Sequence, residues 1–205
     1  MSGRGGGATK PGITRSKERK RDEIVAAATE CFSRYGVERS RIEDVATAAG
    51  ISGTNFYHFF PSRSALIDAV VLSRVEAIVT TVAPTIDRAP SFEAALVSGV
   101  VSTVETCRGD RMFMELLRLT RQKRLGELGG QPHAFGYDML ERLWRPALER
   151  ARQAGELREE LVDDQDTIVW LGRVLVMLLL NDQLTREKIG RTVAMYVAPA
   201  LTAVR

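Results

Sequence analysis

Histidine, cysteine and tryptophan are scarce in this chain, two of each in 205 residues. His58 and His133 stand alone, and no HExxH or GxSxG arrangement is present. The arrays of a zinc hydrolase or a serine hydrolase are therefore missing. A glycine-rich GRGGGA run opens the chain, but no strand precedes it and no helix of a nucleotide-binding loop follows it. Cys31 and Cys107 form neither a CxxC pair nor a metal-ligand spacing, and both read as small buried apolar groups in a reducing compartment. Alternating apolar and polar residues, the signal of a half-buried strand, are lacking. The longest apolar run, Val174 to Leu180, is far shorter than the ~20 residues of a membrane span, and no secretory leader is evident. The chain is thus expected to be all-α, cytoplasmic, non-enzymatic, free of cofactor and metal, and without a membrane partner.

Net charge is small, +3, yet uneven. Residues 1–75 carry 12 Lys and Arg against 8 Asp and Glu, while 76–205 carry 17 against 18. A basic front on a near-neutral body fits nucleic-acid contact at one end. Within that front, Ser40 to Arg63 reads as two short helices around a tight turn. Ser40 and Glu43 have capping-box spacing, and Ile42, Val45, Ala46 and Ala49 share one helical face. Gly50 supplies a turn, Ser52 can cap the second helix, and Pro61 stops it. Phe56 and Phe60 would face a core, leaving Asn55, Tyr57 and His58 to point elsewhere. Such a helix-turn-helix places its second helix in the major groove of double-stranded DNA.

Ahead of it, residues 1–12 are glycine-rich and expected to be disordered. A basic run from Arg15 and Lys17 to Arg21 follows, suited to phosphate contact. A first helix is expected from about Lys17 to Arg34, with Ile24, Ala28, Cys31, Phe32 and Tyr35 on one face and Gly36 as its end. A further helix from about Arg63 to Val82 would lead into the body, and Pro84 and Pro90 bracket a loop where the body begins.

The segment resembles the recognition unit of the TetR family of bacterial transcriptional repressors. The matching residues are Gly36-Val37, Ser40 to Ala46, Ala49 to Ser52, Phe56-Tyr57 and Phe60 to Leu66. Thr54, Asn55, Phe59 and Arg63 depart from the family's usual residues, so base preference is expected to differ from that of relatives. The resemblance implies about nine helices. A helix-turn-helix domain at 13–62 and a linking helix at 63–82 would precede an effector-binding and dimerisation domain at 83–205.

The DNA-contact candidates are Arg15, Lys17, Ser40, Arg41, Ser52, Gly53, Thr54, Asn55, Tyr57, His58 and Arg63. Asn55 suits adenine and Thr54 a thymine methyl, while Tyr57 and Arg63 suit phosphate. Beyond residue 90 every segment reads as helix, with stretches ending near Cys107, Leu125, Ala154, Asn181 and Val204. Gly126 to Pro132 form a loop, and Pro146 sits inside the helix that follows. Phe92, Met112, Phe113, Leu117, Tyr137, Leu140, Trp144, Trp170, Val174 and Met177 are either ordinary core or the lining of a pocket for a small hydrophobic effector, the latter implied by the family. The helix around Ile168 to Leu180 is apolar nearly all round, so it is central in a core or has a second partner. The resemblance implies a homodimer through the last two helices, by Trp170, Leu171, Leu178, Ile189, Val193, Tyr196 and Val197. The resulting expectation is a ligand-responsive dimeric repressor on a palindromic operator. A helical ligand carrier or interaction protein that does not bind DNA is the alternative, with an enzyme behind it.

Overall fold

A computed structural model of the chain describes residues 11–119, 137–161 and 163–203. The tail at 1–10, the helix end near Leu125, the loop from Gly126 to Pro132 and the first residues of the next helix lie outside them. The chain divides into two compact units after Val70.

The first unit begins with α1 (Pro11–Tyr35). It starts earlier than the expected Lys17, and Pro11 and Gly12, assigned to the tail, are helical. Proline suits a first helical position because no N–H is needed there. Gly36, at φ +85°, ends α1 by donating its N–H to the Phe32 carbonyl at 2.9 Å. Next come α2 (Ile42–Ala48) and α3 (Gly53–Phe59). Between them Gly50 sits at φ +65°, and the Ile51 N–H reaches back to Ala46 O at 2.9 Å. Ile24, Ala28, Phe32, Val45, Phe56 and Phe60 form the core of this unit. Tyr35, expected on the same face, is exposed beside Arg34.

α4 (Arg63–Asp87) opens on Ser62, whose Oγ accepts from the Ala65 N–H at 3.1 Å. It does not give way to a loop at Pro84. Pro84 lacks only the N–H that would reach residue 80, and Arg88 N donates to Pro84 O at 3.2 Å to close the turn. Full burial of Ile86 holds that last turn in place.

In the second unit α5 (Phe92–Gly109) is the central element, packed against all four helices that follow. These are α6 (Arg111–Leu119), α7 (Tyr137–Gln153), α8 (Asp164–Leu179) and α9, which begins at Arg186–Thr192. Ser91, Asp110, Asp163 and Thr185 each cap the helix that follows, accepting a backbone N–H on a side-chain oxygen. α7 runs through Pro146, and Gly155 at φ +67° follows its end.

α9 is not a uniform α-helix. It widens to a π-helix at Val193–Val197 and finishes with one α-turn at Ala198–Leu201. Here the Ala198 N–H reaches five residues back, to Val193 O. Pro199 accounts for this, because its ring would crowd the carbonyl four residues earlier in a regular α-helix. Beyond Leu201 the chain makes an antiparallel bridge from Thr202 to Leu157, the one such pairing among the described residues. Arg158 N–Leu201 O at 3.0 Å and Ala203 N–Glu156 O at 2.8 Å flank it.

Candidate nucleic-acid interface

The recognition helix α3 is oriented by its aromatic side chains. Phe56 and Phe60 are fully buried and stack at 5.7 Å between centroids. The Tyr57 ring meets Phe56 edge-on at 5.5 Å yet remains 53% exposed. With that face inward, Thr54, Asn55, Tyr57 and His58 are all exposed, while Gly53 is half-buried. Ser52 is exposed too, and its Oγ accepts from the Asn55 N–H at 3.2 Å. Arg41 is exposed at the start of α2, where its N–H donates to Asp44 Oδ2 at 3.1 Å. Arg15 and Lys17 are exposed on α1.

Two candidates are placed differently. Ser40 is 3% exposed, and its hydroxyl donates to Gly36 O at 2.8 Å and Cys31 O at 3.1 Å. It ties down the end of α1 and neither faces outward nor caps α2; the capping interaction falls one residue later, between Arg41 and Asp44. Arg63 is half-buried and donates through Nη2 to Val37 O and, at 3.3 Å, to Ser40 O. Its guanidinium fills the acceptors of the α1–α2 loop, so it is a cross-link within this unit before it is a phosphate ligand.

The basic run of α1 also holds residues whose role the sequence did not disclose. Lys20 Nζ donates to Ala49 O and to Glu23 Oε2, each at 2.9 Å, and Lys20 holds the Glu23 carboxyl below its ordinary range. Arg21 Nη1 donates to Phe59 O at 2.9 Å, with its guanidinium carbon 4.2 Å from the centre of the Phe60 ring. The acceptors are backbone carbonyls 29 and 38 residues away, so no local spacing announces either contact.

In the body, Phe92, Phe113, Leu117, Tyr137, Trp144 and Val174 are buried, while Met112, Leu140 and Trp170 are half-buried. Burial, and then Glu141, push the Tyr137 phenol up. Met177 does not join them: it is 62% exposed, because its neighbours Val174, Leu175, Leu178 and Leu179 take the inward positions of α8. Trp144 has no exposed surface, and its indole Nε1 has no hydrogen-bond partner among the described residues. A cleft of about 430 Å³ lies elsewhere, bordered by Ser91, Glu93, Glu156 and Thr202, and takes in none of the pocket candidates. Of the candidates for the subunit interface, Leu171, Leu178, Ile189, Val193 and Val197 are buried within the single chain. α8 and α9 turn these side chains inward, where both helices pack on α5. The outward face carries Met177, Met195 and Tyr196.

Residues 24–70 match the family model described as bacterial regulatory proteins, tetR family. The HTH-type transcriptional regulator RutR of Escherichia coli is 40% identical over 58 residues, 28% of this chain and 27% of RutR. The match therefore spans about a quarter of that relative's length. Among solved structures, RolR in complex with resorcinol aligns with a TM-score of 0.66 at 16% identity, over 92% of this chain and 90% of RolR. The TetR family repressor AlkX from Dietzia sp., implicated in biodegradation of n-alkanes, aligns at 0.61 and 20% identity, over 95% and 97%. The matched segment and the fold together define a helix-turn-helix domain followed by a helical body. Residues 24–70 thus carry a TetR-type DNA-binding segment, and the relatives matched there are named as transcriptional regulators.

Proposed function

We propose that this protein is a dimeric, ligand-responsive repressor that binds a palindromic operator and is released by a small, largely apolar effector. The observation that carries the reading is the exposed face of α3. Thr54, Asn55 and His58 are presented to solvent on a helix whose other face is locked by Phe56 and Phe60. A helix held this way can offer an amide to adenine and a methyl to thymine without first ordering itself. Arg15, Lys17, Arg41 and Tyr57 flank it with groups suited to phosphate.

A dimer would present two such helices to half-sites roughly 34–36 Å apart. Its interface is the outward face of α8 and α9, with Trp170, Met177, Met195 and Tyr196, since the inward residues are already occupied. An apolar effector is supported by the aromatic body, by the resorcinol bound to RolR and by the implication of AlkX in biodegradation of n-alkanes. The effector must prefer a conformation that the operator does not, or it releases nothing.

Selection of duplexes from a randomised pool, followed by anisotropy titration, tests the reading. The protein should enrich an inverted repeat, and Asn55→Ala should weaken binding to it by about tenfold or more without altering the protein's helicity. Enrichment of no sequence would refute DNA recognition. Equal affinity of Asn55→Ala would remove that residue from base readout.

A further inference from the structure

We infer that Arg21, assisted by Lys20, is the positioning residue of the recognition helix: it sets the angle of α3 for sequence readout and is not a DNA-backbone contact. This rests on the reading of α3 as the DNA-reading element. α3 is two turns long and ends on Phe60, in extended conformation ahead of Pro61, with no glycine to turn the chain back over the last carbonyls. Such an end leaves acceptors without intrahelical donors. The Phe60 N–H satisfies Phe56 O at 3.0 Å, and Arg21 Nη1 satisfies Phe59 O at 2.9 Å from α1.

The same guanidinium lies over the Phe60 ring, 4.2 Å from its centre, so one side chain grips both the carbonyl end of α3 and the aromatic that anchors it. A cation at a helix C-terminus is also favoured by the helix dipole. Its neighbour Lys20 does the equivalent for α2, donating to Ala49 O at 2.9 Å. Two adjacent residues of one long helix thus hold the carbonyl ends of both short helices, so a rotation of α3 about Phe56 would strain the Arg21 contacts. Arg21 is exposed and keeps its charge in the most basic stretch of the chain, but its guanidinium is directed at the end of α3.

Counterion release separates the two roles. Loss of a phosphate contact weakens binding to every sequence and lowers the salt slope by about one; loss of orientation weakens the preferred sequence alone and leaves the slope unchanged. The experiment titrates the full-length protein with the duplex it enriches from a randomised pool and with a scrambled duplex, over a range of KCl. Arg21→Ala should bind the enriched duplex on the order of tenfold more weakly, leave the scrambled duplex unaffected and keep the wild-type slope. Arg21→Lys should recover part of the loss, since it keeps a donor and loses the stacking plane. Lys17→Ala, an exposed residue of the same run, should weaken both duplexes and reduce the slope.

A slope reduced by about one in Arg21→Ala, or affinity for the enriched duplex within about twofold of wild type, overturns the assignment. Should Arg21→Ala lose its helical signal, Arg21→Lys and Arg21→Gln decide instead: a selective loss at constant slope upholds the role, and unchanged affinity in both rejects it. If wild-type protein enriches no duplex, the proposed function fails first and the inference with it; enrichment with an insensitive Arg21 fails the inference alone.

Discussion

Cys107 lies on the inward side of α5, and burial pushes its thiol up from 9.0 to about 12. The folded chain therefore holds a proton that the unfolded chain releases at lower pH. Stability from this group is fully present below about pH 9 and is lost between 9 and 12, as the unfolded thiol ionises and the folded one resists. Cys107→Ala should remove this part of the alkaline decline; chemical denaturation of both proteins from pH 8 upward measures the difference. Ser40 invites a second prediction. Its hydroxyl is buried on two carbonyls, so Ser40→Ala should cost about 1–2 kcal/mol in denaturant midpoint, as for a buried hydrogen-bonding group. Ser52→Ala should cost a comparable ~1 kcal/mol for a different reason, the loss of the α3 cap. Both serines stand three residues ahead of a polar residue in similar sequence. Both read as caps in the sequence, but only Ser52 is one, because its partner lies within the next turn; the acceptors of Ser40 and Arg63 are backbone carbonyls brought to them by the packing around the end of α1.

The helices show the same division between local and distant causes. The ends marked by Gly36, Gly50, Pro61 and Gly155 were legible, since a positive φ or a missing N–H acts within a few residues. Pro84 misled and the effect of Pro199 was not legible, because each depends on its tertiary or helical surroundings. At Pro84 the buried Ile86 keeps α4 helical, and ahead of Pro199 the helix widens by one residue instead of stopping. Close approach between helices is likewise invisible in the sequence, and two glycines test it. A Cβ on Gly99 would lie 2.6 Å from Ile86 Cγ1 and 2.9 Å from the Trp144 ring, both fully buried side chains. Gly99→Ala should therefore destabilise the body by about 1–3 kcal/mol despite the better helix propensity of alanine. On Gly190 the nearest atoms, of Val101 and Val97, are at 3.8 and 3.9 Å, ordinary contact. Gly190→Ala should stabilise by up to ~1 kcal/mol. Thermal unfolding followed at the helical band should move the two variants in opposite directions, and equal shifts would contradict the packing described for α5.

At the scale of the whole molecule, the apolar character of α8 and α9 has two destinations. Leu171, Leu178, Ile189, Val193 and Val197 saturate the interior of one chain, which the periodicity alone could not separate from a subunit interface. What remains outside is a smaller set, with Met177 at 62% exposure and Tyr196 at 70%, beside Met195. Large side chains left in water on these two helices fit the proposed interaction surface, and a two-fold axis would let each copy cover the other's set. The two sets give opposite results on substitution. Met177→Glu combined with Tyr196→Glu places charge in the proposed interface but in water on the single chain. That variant should keep its helicity and unfold cooperatively, yet sediment as a 22.7 kDa monomer where the proposed wild-type dimer should sediment at twice that mass. Its affinity for an inverted repeat should fall to that for a single half-site. Val193→Glu instead buries an unpaired charge beside α5, a change costing several kcal/mol, and should lose folded protein before any effect on association is seen. A double variant that remains dimeric at micromolar concentration would move the interface away from α8 and α9. A monomer that still binds the full repeat as tightly as wild type would show that the two recognition helices do not act as a pair.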